Sequence, residues 1–127
     1  KNDYDFLQPD KTKYVYSGMK NISDNKLKAI LKSKYSDRMI WSSDYRTSHG
    51  FYKSKTNLSK NKNHVLIIGY FSDDFVLNPL KISKLSEIKG KNFTNTMKLF
   101  EIIKSENEIV TSKPVKIHSV LFEKNNL

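Results

Sequence analysis

The chain has 127 residues, with 23 lysines and arginines against 13 carboxylates, a formal net charge of +10 and no cysteine. That length suits one domain burying roughly two-thirds of its unfolded surface. The lack of cysteine excludes disulfides, thiolate metal sites and cysteine nucleophiles. Three scattered histidines, His49, His64 and His118, give no zinc spacing, so no metal is expected.

In chain order, residues 1–12 are polar, carry Pro9 and lack periodicity, and read as a flexible tether. Such a segment suits a tether leading from an anchor or a leader-cleavage site, and an exported or envelope protein is the expectation. A start at Lys1 left by trimming a longer chain would equally fit the cytoplasm. A single domain is expected over 13–123, with 124–127 as a polar tail. No apolar run approaches the ~18 residues that cross a bilayer, so no transmembrane segment is expected.

The sequence KYVYSG at 13–18 predicts a first strand. Ser23 and Asp24 open a helix over 23–35, since Leu27, Ile30, Leu31 and Tyr35 fall on one helical face. MIWSS at 39–43 and FYKS at 51–54 read as two strands of a hairpin, joined by the polar turn 44–50. The stretch NHVLIIGYF at 63–71 is the only long apolar run, and it reads as a strand buried on both faces. Asp73-Asp74 make a turn before a short edge piece at 75–79. The alternation of LKISKL at 80–85 suits a half-exposed strand, and 93–104 reads as a helix, with a strand fitting almost as well. Ile109-Val110, the turn Ser112-Lys113-Pro114 and a strand over 115–122 complete the chain. The expected class is α+β: a mostly antiparallel sheet of five or six strands covered by one or two helices.

Nearly all the positive charge is lysine, because only Arg38 and Arg46 are arginines. Lysine lacks the planar fork that reads bases and grips phosphates, so nucleic-acid contact would be non-specific. The basic loop with Lys53, Lys55, Lys60 and Lys62, beside Tyr45, Arg46, Phe51 and Tyr52, is the expected contact surface. Its lysines would draw an anionic polymer or an acidic protein surface, and its rings would add interface area. Composition therefore favours a small basic binding module, non-catalytic and without cofactor.

The alternative is a toxin or effector enzyme. SDRMIWSSDY resembles the arginine-bearing strand of barnase-type microbial ribonucleases, which implies Arg38 and His49 as the groups acting on RNA. Glu106-Asn107-Glu108 is similar to the Glu-x-Glu turn of mono-ADP-ribosyltransferases. That resemblance implies NAD, with Glu108 as the catalytic carboxylate steadying the nicotinamide ribose and Glu106 orienting the acceptor. It also sets Ser54-Lys55-Thr56 where that family has Ser-Thr-Ser. Tyr16-Ser17-Gly18 falls where its first strand offers an arginine or histidine to hold NAD; here that residue is Ser17. Finally, His64 and His118 on predicted strands could form an acid–base pair for phosphodiester chemistry.

Overall fold

The computed structural model describes residues 9, 11–54, 58–77 and 108–126. Among these, seven strands and two helices run in the order β1 (Tyr14–Ile22), α1 (Asp24–Lys32), β2 (Tyr35–Ser36), β3 (Ile40–Ser42), α2 (Tyr45–Lys53), β4 (Asn63–Tyr70), β5 (Val76–Leu77), β6 (Glu108–Val110) and β7 (Val115–Lys124). The strands form one sheet in the order β2-β7-β4-β1-β3-β6-β5, with every pairing antiparallel. The α+β class stands, and the sheet is one or two strands larger than expected.

Strand β4 is an interior strand, flanked by β7 and β1. Val65, Leu66 and Ile67 are exposed by no more than 1% on either face, as the unbroken apolar run requires. Val65 and Ile67 join Val15, Met19, Trp41, Ile109, Val115 and, from α1, Leu27 in the main core. Leu66 points the other way, because successive strand residues face opposite sides. That second face carries α2, whose Ser48 and Tyr52 are buried. At Gly69 the packing leaves no room for a side chain: a Cβ would stand 2.7 Å from Val115 Cγ1.

Helix α1 starts as expected, with the Ser23 hydroxyl capping the Lys26 amide at 3.2 Å. It ends at Lys32, three residues early, because the Ser33 amide turns back to the Ile30 carbonyl. Tyr35 is then free to pair with Lys116 as part of the edge strand β2, where it is exposed.

The predicted hairpin over 39–54 is not formed. Its first arm is β3, but its turn and second arm are the helix α2. The Asp44 carboxylate accepts the Arg46 amide at 3.0 Å and caps the helix. Ser48 and Tyr52 then recur one helical turn apart on the buried side. Tyr45 packs its ring edge-on against Tyr16 of β1, 5.2 Å between centroids. Polar composition and Gly50 disguise this face in the sequence. The strand expected at 80–85 and the helix at 93–104 lie outside the described residues. At the C-terminus β7 runs through Lys124, and Asn125 is buried, bonded to the Asn61 amide, to Lys62 and to Ser59.

Candidate functional site

Strand β1 pairs with β4 from Tyr14 to Ile22, yet with β3 at one position, Tyr16 opposite Ser42. Beyond it β1 and β3 separate, and a cavity of about 480 Å³ fills the gap. That volume is within the range of small-ligand sites. Ser17 and Gly18 form one lip, Arg38 and Ile40 the other, and Ser48, Phe51 and Glu108 close it.

The seam's missing main-chain bonds are replaced by side chains. The Ser17 hydroxyl donates to the Ile40 carbonyl at 3.1 Å and accepts from Arg38 Nε at 3.0 Å. Arg38 is fixed at its backbone as well, because Trp41 Nε1 donates to its carbonyl at 2.8 Å and its amide donates to Ser36 Oγ at 3.2 Å. Its guanidinium is half-buried, and burial lowers its pKa from the ordinary value, an effect partly offset by Asp37. Among the described residues no carboxylate forms an ion pair with it.

A row of side chains crosses the sheet at the same level. Tyr16 is opposite Ser42, and Ser42 is opposite Glu108, so the three share one face on consecutive strands. Adjacent strands lie about 5 Å apart, which sets Tyr16 and Glu108 about 10 Å from each other across the cavity floor. The Tyr16 hydroxyl has its pKa raised, first by burial and then by Tyr14, Tyr45 and Asp44, so it stays a neutral donor. Ser48 Oγ donates to the Tyr16 carbonyl at 3.1 Å and locks α2 over the row. Gly18 lets the Phe51 ring close in: a Cβ there would stand 2.8 Å from Phe51 Cδ1.

The structure thus gathers Arg38, Ser17, Tyr16 and Glu108 into one cavity. Ser54 is elsewhere, at the C-cap of α2, and the serine brought to Glu108 is Ser42. The signal for it was Trp41-Ser42-Ser43, a serine pair closing a strand just before a helix. Glu106 and Lys55 lie outside the described residues. His49 does not line the cavity with Arg38; its ring stacks on Tyr45 at 5.0 Å. His64 and His118 sit towards opposite ends of the β4–β7 ladder. His64 is buried opposite Glu123, while His118 is exposed between Tyr14 and Tyr70.

The basic surface is divided. Tyr52 is buried, 4% exposed, against His64, and Lys53 is paired with Glu123 at 3.3 Å. Arg46 lies beside its own cap residue, Asp44, at 3.5 Å. Tyr45 and Phe51 are exposed on α2, and Lys60 and Lys62 on the turn before β4. Among the described residues no group of His, Asp and Glu could hold a metal ion, and no helix is long and apolar enough to cross a membrane.

Comparison with protein families, with curated proteins and with solved structures finds no match for this chain. Its function is therefore argued from the cavity.

Proposed function

We propose that the chain is a small ADP-ribosyltransferase-type enzyme, an effector that takes NAD as substrate and uses Glu108 as its catalytic carboxylate. The observation that carries this reading is the row Tyr16–Ser42–Glu108, set across three adjacent strands beside a half-buried arginine. The mono-ADP-ribosyltransferase resemblance asks for contributions from the first strand, from a serine-bearing strand and from the strand at the Glu-x-Glu turn. All three converge on one cavity, although the serine is Ser42 rather than Ser54.

The residues fit such a ligand chemically. A guanidinium suits a diphosphate, a carboxylate suits ribose hydroxyls, and Ile40 and Phe51 give the cavity apolar walls. In the reaction the bond between ribose C1′ and the nicotinamide nitrogen breaks, and nicotinamide leaves with the electron pair. An acceptor oxygen or nitrogen supplies the new bond and gives up its proton. Glu108 accepts a ribose hydroxyl and offsets the positive charge that builds on the sugar in the transition state. Tyr16 offers a neutral hydroxyl and a ring wall. Glu106 would orient the acceptor.

The test is nicotinamide release from NAD, with and without a protein acceptor, and transfer of label from adenylate-labelled NAD. Glu108→Gln should lower the rate by about 100-fold or more in a variant that still unfolds in one cooperative transition. A parent protein that neither cleaves NAD nor labels any acceptor would end the proposal. So would a Glu108→Gln variant of full activity.

A further inference from the structure

The first strand carries Ser17 where a ribosyltransferase of this type would carry its cation, and Arg38 Nε is bonded to that same Ser17. We infer that the cation has been relocated: Arg38, reaching in from the segment between β2 and β3 and held by Ser17, binds the diphosphate of a nucleotide in the cavity. The inference rests on the proposed reading of the site and adds how the cation is held and aimed.

Four features support it. The arginine is pre-organised, with its carbonyl fixed by Trp41, its amide by Ser36 and its Nε by Ser17. Because Nε is taken, the two terminal amino groups are the donors it brings to the cavity it lines, and that fork matches phosphate oxygens in pairs. Half-burial removes water from the guanidinium, so an anion gains more there than at an exposed lysine. Among the described residues no carboxylate forms an ion pair with it, although Asp37 acts on it through space and Glu108 lines the same cavity. Ser17 is then a positioning residue: its hydroxyl bridges the Ile40 carbonyl and Arg38 Nε, and aims the fork.

The ligand class follows from the walls. Ile40 and Phe51, each about half exposed, are apolar surfaces around a single strong cation. A bare phosphate would leave them wet, whereas a nucleoside diphosphate would cover them.

The experiment measures binding of ADP and of adenosine at an ionic strength of about 0.15 M, which damps surface lysine attraction. Trp41, the chain's one tryptophan, lines the cavity and serves as the fluorescence reporter, with calorimetry as a second readout. The parent protein should bind ADP more tightly than adenosine. Arg38→Ala should weaken ADP by about 30-fold and leave adenosine unchanged. Ser17→Ala should weaken ADP by about 3- to 10-fold, and Arg38→Lys should fall between parent and Arg38→Ala because a point charge replaces the fork. The exchange Ser17→Arg with Arg38→Ser should recover affinity to within about 10-fold of the parent.

Equal losses of ADP and adenosine in Arg38→Ala would overturn the inference. So would full ADP affinity in a folded Arg38→Ala variant, or no ADP binding by the parent. The two proposals fail separately. Arg38-dependent ADP binding without NAD cleavage keeps the clamp and removes the enzyme. NAD cleavage indifferent to Arg38→Ala does the reverse.

Discussion

Two seams flank β1, and they differ in kind. Towards β4 the strand is paired along its length with one register shift between Met19 and Ile22, with apolar residues buried on both sides and a further long partner in β7. Towards β3 one register position is made, and the rest of the seam is bridged by Ser17 and Arg38. The first seam derives its strength from burial and from ladder bonds that no side chain can remove. The second rests on two polar side chains around a cavity, so it gives up packing where the proposed ligand would sit. Stability and binding should therefore respond to different residues.

The largest effect belongs to the closed seam. Leu66→Ala removes a fully buried side chain beneath α2 and should cost about 3 kcal/mol, within the range for core truncations. Its measure is the denaturant midpoint at unchanged slope. Ser17→Ala removes two hydrogen bonds and should cost about 1–2 kcal/mol, while producing the larger change in ADP affinity. If Ser17→Ala proved as destabilising as Leu66→Ala, the open seam would be structural and the contrast between the two would collapse.

The same contrast decides what could be read before the structure. The closed seam was legible because burial leaves a compositional mark: Val65 to Ile68 is a run that suits a strand covered on both sides, and it became an interior strand between β7 and β1. Helix α1 was legible through its cap at Ser23 and the period of Leu27 and Ile30, though not its end. Helix α2 was hidden because its buried side is made by Ser48 and Tyr52 rather than by aliphatic residues, and because Gly50 reads as a breaker. Glu108 and Arg38 were both visible as chemistry, but as members of separate candidate sites. What joins them is the strand order β1-β3-β6, a product of long-range pairing that local periodicity does not carry. Ser42 was missed for the same reason: its partners Tyr16 and Glu108 are distant in sequence and adjacent only through the sheet.

Helix α2 belongs to both seams, since it covers Leu66 and roofs the cavity. Gly50 lies in its interior, exposed, and a Cβ there would meet nothing within 4 Å. Gly50→Ala should therefore stabilise the protein by about 0.5–1 kcal/mol through the lower entropy of the unfolded chain. A thermal midpoint that falls would mean that α2 needs its glycine to sit over Tyr16, and ADP affinity would then fall with it.

The smallest effect separates the seams by pH. The far end of the closed ladder is tied by two carboxylates, Asp24 and Glu123. Asp24 has its pKa lowered first by the Asn63 amide, at 2.8 Å, and then by Lys124. Glu123 has its pKa lowered first by His64 and then by Lys53. A carboxylate whose pKa is lower folded than unfolded adds stability above its unfolded pKa, and loses it as pH falls through the folded one. Both groups are exposed, so solvent keeps the contribution modest. Between about pH 5 and pH 3 the thermal midpoint should fall, and the double variant Asp24→Asn with Glu123→Gln should flatten that slope. The open seam is held by a hydroxyl and a guanidinium, neither of which titrates there. Arg38→Ala should accordingly leave the slope as it is. A slope that Arg38→Ala alters and the carboxylate pair does not would reverse the assignment of which seam is held by titrating groups.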